Sequence, residues 1–337
     1  MFRVTYKNLF FTLLALTCLA TGHVQAQTEV DSNYVKSFEK ANNIKSISGL
    51  SRTAFRFTHI TNDQLLNKRR IEANTRAFSG INLNYKWLSL EYDWDIPNTA
   101  VDNHYSGSRA FSLHAFQVGK KFGIEGNYQR YKGLVLPIKN TGGQFDHFNN
   151  VNYNNYSINL YYFLNFRQLS YSSAYKYSVK QKKSSGSIIT MLTPAYQSFN
   201  VNDTLGVNPG TNDRRFIEII QKEPKWFTLL GRVGYTYNII LNNGNWSINP
   251  SVLGGTGSET PLNNSKFFKH TFGFVNSFQG RVNGGYNGDN FFVYLNVTFD
   301  KTEYHLMETQ LTTNNNYYSF NVGYRFASLK EKILRIL

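Results

Sequence analysis

The sequence predicts an all-β transmembrane antiparallel up-and-down β-barrel, on the strength of three observations. Segments that alternate apolar and polar residues recur from about residue 51 almost to the end. Aromatic residues are abundant, with 23 Tyr and 27 Phe. Connections alternate between short ones (86–88, 119–121, 242–245, 286–289) and long ones (61–76, 96–107, 133–154, 257–268, 301–316), as short periplasmic turns and long extracellular loops do in barrels. Apart from residues 9–20, no apolar run approaches the roughly 18 residues a membrane helix requires. A barrel strand requires only about 9–11 residues, every second one facing lipid, and closure removes the unpaired edges that lipid cannot satisfy. A soluble sandwich would have to cover an unusual number of Tyr and Phe.

Residues 1–26 read as a secretory signal. Arg3 and Lys7 supply its positive end, 9–20 its apolar core and Val24-Gln25-Ala26 its cleavage site. The only cysteine, Cys18, lies inside that core, and its neighbours Thr17 and Leu19 fit a lipoprotein site poorly. The exported chain would then use neither disulfides nor thiol chemistry. Residues 27–47 read as a periplasmic lead-in, 48–326 as the barrel, and 327–337 as a tail. In the tail Leu329, Ile333, Leu334 and Leu337 can share a helical face, with Lys330, Lys332 and Arg335 near lipid head groups. A frayed end is the alternative.

The strand signals run in order: 51–60, 77–86, 87–96, 109–118, 122–132, 155–165, 168–179, 187–200, 227–240, 246–255, 271–283, 290–300 and 317–326. Asn242-Asn243-Gly244-Asn245 is a strong turn signal, because Asn and Gly tolerate the positive φ of a hairpin. An even strand number is required if both termini are periplasmic. Thirteen segments therefore become 12 if 168–200 hides a false strand, the preferred count, or 14 if Pro194 splits 187–200 in two.

The stretch "WLSLEYDWDI" at 87–96 gives each face an address. Leu88, Leu90, Tyr92 and Trp94 should meet lipid, with Trp94 near the outer interface. Glu91, Asp93 and Asp95 should point inward and repel one another unless matched. Arg56 and Lys86 are expected at inward parity, and Arg325 joins them if the first and last strands pair. Such a network predicts a narrow or plugged barrel with a charged lumen and a structural, transport or surface-binding role. A small-solute pore with a solvated acidic stripe is the alternative.

The chain has 36 Lys and Arg against 21 Asp and Glu. The basic residues are scattered, with clusters such as Lys68-Arg69-Arg70 and Lys180-Gln181-Lys182-Lys183. They suit solvated loops, or contact with outer-membrane lipid and lipopolysaccharide. The other expected partner is the barrel assembly machinery, with no nucleic acid, for a monomer in the bacterial outer membrane. Motifs for zincins, nucleophile elbows, phosphate loops and Cys-based metal sites are missing from the sequence, and no cofactor is expected. His59, His104, His147, His270 and His305 fall at or beyond the outer strand ends; His114 lies mid-strand. His104 near Ser106 and Ser108, and His147 after Asp146, are the residues on which a rim lipid hydrolase would rest. Its Ser–His pair would require hydrogen-bond contact and an oxyanion hole.

Four stretches carry a family resemblance: "NYKWLSL" at 84–90, "LSYSSAYKYSVKQKKSSGS" at 169–187, "NVGYRF" at 321–326 and Tyr34-Val35-Lys36-Ser37-Phe38. Together they resemble the domain-of-unknown-function (DUF) 4421 family, predicted outer-membrane barrels of Bacteroidota. The resemblance implies the barrel and its membrane, and no activity or catalytic residue.

Overall fold

The computed structural model describes residues 30–59, 69–102, 108–137, 145–201, 220–262, 273–306 and 309–328. The segment read as a signal (1–26), the tail beyond 328, and His104, Ser106 and His270 lie outside them.

The strands are β1 (Val35–Ser37), β2 (Asn42–His59), β3 (Arg69–Ala73), β4 (Ala77–Tyr85), β5 (Leu88–Asp95), β6 (Arg109–Val118), β7 (Phe122–Pro137), β8 (Phe145–Phe163), β9 (Val179–Gln181), β10 (Ser185–Val201), β11 (Lys225–Leu241), β12 (Trp246–Pro261), β13 (Gly273–Asn287), β14 (Phe291–Leu306) and β15 (Thr309–Phe326). One short helix, α1 (Tyr171–Tyr175), lies between β8 and β9. β2, β4–β8 and β10–β15 form an antiparallel ring of twelve strands, closed by β15 against β2 from Thr309↔His59 to Phe326↔Asn42.

β3 makes a second, smaller closure. The lower part of β2 pairs with β4, while residues 54–57 pair with β3. β3 then meets β7 through Glu72↔Val135 and Ala73↔Leu134. At this extracellular level β3 replaces β4, β5 and β6, so the ring narrows from twelve strands to ten.

One sequence expectation changes, and the preferred strand number of twelve is the one observed. The first barrel strand starts at Asn42, inside the stretch read as lead-in. Residues 168–179 are not a barrel strand, because the chain leaves the wall there and folds into the lumen as α1. The segment containing Pro194 is one strand; Thr193 and Pro194 pair with β11 but are skipped in the ladder to β8, which suits a residue with no N–H to donate. The Asn-Asn-Gly turn takes positive φ at Asn242, Asn243 and Gly244.

The ring's outer face carries a belt of exposed apolar side chains, among them Leu229, Val233, Ile248, Val252, Phe278, Leu295 and Phe320. No helix among the described residues is long and apolar enough to cross a membrane; here the strands make the crossing. The belt ends abruptly. On β2 Leu50 is followed on the same face by Arg52, on β14 Phe299 by Lys301, and on β7 Tyr128 by Arg130. Above that line the apolar parity turns inward: Phe55, Ile71, Tyr153, Phe199, Trp226, Val275, Tyr304 and Leu311 form one buried cluster inside the narrower ring. Outside is lipid below the line and water above it, so the buried side of the same strand changes.

Candidate functional site: a polar chamber in the lumen

The lumen has three layers. At the extracellular end the apolar cluster reaches across from β2 to β14, with ring centroids 5.2 Å apart for Phe55–Phe199, 6.0 Å for Phe199–Trp226 and 5.8 Å for Trp226–Tyr304. The middle layer is a cavity of about 310 Å³ lined largely by polar side chains. At the periplasmic end the chain between β8 and β10 fills the opening.

This periplasmic plug is held from many sides of the wall. The Tyr171 ring packs 4.7 Å from Phe163 of β8, and Arg281 of β13 stacks 4.3 Å from the Tyr175 ring. Ser172 Oγ donates to Val118 O, and Asn238 Nδ2 donates to Ser173 Oγ. Lys176 Nζ donates to Phe116 O at 3.2 Å and lies 4.9 Å from that residue's ring centre. Tyr177 stacks on Tyr294 with centroids 4.2 Å apart. β9 pairs with β1, tying the plug to the segment that precedes the barrel. Arg325, fully buried on β15, donates to Tyr177 O, Asn287 Oδ1 and Gly288 O, and its guanidinium stacks on Phe38 and Phe292.

On the chamber wall, β5 presents Glu91, Asp93 and Asp95 inward while Leu90, Tyr92 and Trp94 are exposed outward. Glu91 Oε2 lies 3.0 Å from Lys45 Nζ, which donates to Tyr294 OH at 2.8 Å. Asp93 Oδ2 accepts from Ser112 Oγ at 2.9 Å and lies 3.8 Å from His114 Nε2. The other imidazole nitrogen, Nδ1, is 2.5 Å from Asn127 Oδ1. Asp95 Oδ1 accepts from the Ala110 N–H. Across the chamber, Arg232 bonds Ser277 Oγ and lies 3.4 Å from Asp300 Oδ2. Glu125 accepts from Tyr161 OH at 2.7 Å and Asn159 Nδ2 at 3.0 Å.

The basic residues expected beside the carboxylates lie elsewhere. Arg56 alternates with the buried Phe55 and Phe57, so it projects from the outer face of β2, opposite Arg70 of β3. Lys86 sits in the left-handed turn between β4 and β5, with its ammonium over Tyr85. Arg325 is inward but grips the plug. Lys45 takes the place assigned to them. Its stretch 27–47 reads as lead-in from the sequence, although Ile44-Lys45-Ser46-Ile47 lies only a few residues before the first alternating segment. His114, the one mid-strand histidine, joins the cluster.

The rim residues within the described chain hold a strap. Asn74 and Asp102 exchange hydrogen bonds, Asn74 Nδ2 donates to Ser108 Oγ at 3.0 Å, and His147 Nε2 lies 3.0 Å from Asp102 Oδ2. The hydroxyl thus faces an amide and the imidazole a carboxylate, fastening Asp102 and Ser108 to the residues at the ends of β3 and β8.

A family model described as a domain of unknown function (DUF4421) matches residues 29–326. The chain belongs to the DUF4421 family. The four stretches by which it resembles DUF4421 meet at the periplasmic mouth: β1 pairs with β9, 169–187 is the plug, Arg325 of "NVGYRF" clasps it, and Asn84 of "NYKWLSL" donates to Asn43 Oδ1, whose own amide donates to Lys176 O. Among curated proteins there is no match to this DUF4421 chain. Solved structures similar to it include the outer membrane protease OmpT of Escherichia coli, at 9% identity and TM-score 0.36, covering 88% of this chain and 100% of that one. The β domain of the Bordetella autotransporter BrkA is similar at 12% and 0.39, covering 85% and 99%. The translocator domain of the autotransporter NalP from Neisseria meningitidis is similar at 11% and 0.37, covering 94% and 95%. These likenesses concern the fold alone.

Proposed function

We propose that this outer-membrane barrel is a closed, gated conduit for small polar solutes, in which the segment between β8 and β10 is the periplasmic gate. The observation that carries this reading is a polar chamber of about 310 Å³ lying between an apolar cap and a plug. An open pore would have a continuous wet lumen, and a purely structural barrel could fill its interior with packed side chains. The cap is built from wall residues, whereas the plug is a connection that can leave without unzipping a ladder of the barrel wall; its one ladder is with β1, outside the ring. Basic side chains just above the apolar belt, Arg52, Arg130 and Lys301, suit the phosphates of lipopolysaccharide, the lipid partner proposed for the outer leaflet.

Single-channel recording in planar bilayers tests the gate. The wild-type chain should be silent, as should a chain whose cap alone is opened by Phe199→Ala and Trp226→Ala; the cap-opened chain should conduct once 169–180 is replaced by a short Gly-Ser linker. Steady porin-like current through wild type would sink the proposal, as would silence from the cap-opened, plug-less barrel that still shows heat-modifiable migration.

A further inference from the structure

We propose that Glu91, Asp93 and His114 bind a divalent transition-metal ion at the wall of the chamber. Their donor atoms all lie within 4.8 Å of one another. With metal–ligand bonds of about 2.0–2.2 Å, two donors on one ion stand at most about 4.4 Å apart. Shifts of a few tenths of an ångström in side chains bordering a cavity would therefore close the set.

Three further observations point to a ligand. First, the His114 Nε2 to Asp93 Oδ2 distance of 3.8 Å is too long for a hydrogen bond and suits two donors flanking an ion. Second, the imidazole is already oriented: with Nδ1–H donating to Asn127 Oδ1, the Nε2 lone pair faces the carboxylates, the arrangement in which metal-ligating histidines are held. Third, Asp93 is only 3% exposed, and the oxygen on its His114 side, Oδ2, is held by a single hydroxyl, Ser112 Oγ, so it keeps a lone pair for an ion. Charge agrees with the geometry. Lys45 matches Glu91, which leaves the buried Asp93 carboxylate calling for a cation. One imidazole and two carboxylates form a mixed nitrogen–oxygen set that suits Zn²⁺ or Mn²⁺ better than Ca²⁺ or Mg²⁺, which prefer oxygen alone. The chamber leaves room for water to complete the shell.

The test uses the full barrel in detergent, stripped with chelator and titrated calorimetrically with Zn²⁺ and, separately, Mn²⁺. The bound metal is then counted by elemental analysis after desalting. About one equivalent should bind, and His114→Gln and Asp93→Asn should each weaken binding by at least about tenfold. Asp300→Asn, across the chamber beside Arg232, should leave binding unchanged. Variants are scored only if they keep heat-modifiable migration; if either ligand variant misfolds, the Mn²⁺ electron-paramagnetic-resonance signal of wild type serves instead. A nitrogen-coupled signal supports the site, and an all-oxygen signal refutes it. Absence of saturable binding up to about 1 mM, or binding indifferent to His114→Gln, overturns the proposal.

Discussion

The guanidinium of Arg325, on the last strand, lies 3.7 Å from the centre of the Phe38 ring, in the segment before the first strand. The same group donates to Tyr177 O, so one side chain clasps the barrel's closing seam, the leading segment and the plug. Arg325→Met keeps much of the bulk and removes every donor. The plug should loosen by about 3 kcal/mol, the scale of lost charged hydrogen bonds. Limited proteolysis should cut within 169–184 in the variant and spare wild type; equal protection would refute the clasp.

The pH dependence of the plug follows from Lys176, which lies in the plug rather than in a membrane-crossing strand. Burial pulls its ammonium down from the ordinary 10.5 to about 8. Between those values a withdrawn plug binds a proton that a seated one does not. Seating therefore strengthens as pH rises from about 8 to about 10.5, and is flat outside that window. Protease protection of the plug should be higher at pH 10 than at pH 7.5. Lys176→Met should abolish the difference; a slope that persists would place the titration elsewhere.

Lys45 and Glu91 are a buried pair, and buried pairs are costly to break from one side. Lys45→Met should destabilise the barrel by about 3–5 kcal/mol, read as a shift of the urea unfolding midpoint. Lys45→Met with Glu91→Met should recover most of the loss. An additive double variant would show that the two groups are not coupled.

Gly80 lies opposite Asp93 on β4, and a Cβ there would stand 2.0 Å from Asp93 Oδ1. Gly80→Ala should cost about 1–3 kcal/mol by overpacking. In an Asp93→Ala background the same change should cost much less. If the penalty survives removal of the carboxylate, the clash lies with the backbone.

Two changes on the outer face of β14 test where lipid ends. Leu295→Lys, within the belt, should cost about 2–4 kcal/mol. Lys301→Leu, above it, removes an exposed pair with Glu303 and should stay within about 0.5 kcal/mol. Equal effects would move the membrane line.

The fold was legible because the period of two survives along every wall strand. Its sign was not. On β2 Ile44 and Leu50 are exposed on the outer face, whereas Phe55 and Phe57 are buried on the inner one, with no bulge between them. Alternation reports that two faces differ; which face is buried depends on whether lipid or water lies outside, and sequence spacing carries no height. Arg56, expected at inward parity, lies on the outer face because its neighbours Phe55 and Phe57 are buried inside at that height. The inward turn of Glu91, Asp93 and Asp95 was readable because Leu90, Tyr92 and Trp94 lie within the belt. The plug was unreadable for a related reason: Tyr171, Tyr175 and Tyr177 alternate like a strand, although they pack against the inside of a wall made by distant residues. Their partners Phe163, Arg281 and Tyr294 come from three separate strands, and no local pattern announces them.

The clasp on the plug has a consequence for biogenesis. The plug lies midway along the chain, but Arg325 arrives only with the final strand, and that strand also pairs with the first. A nascent barrel still lacking its last strand has neither a sealed wall nor a fastened stopper. Completing the seam supplies both, so the membrane need never contain a finished cylinder that leaks.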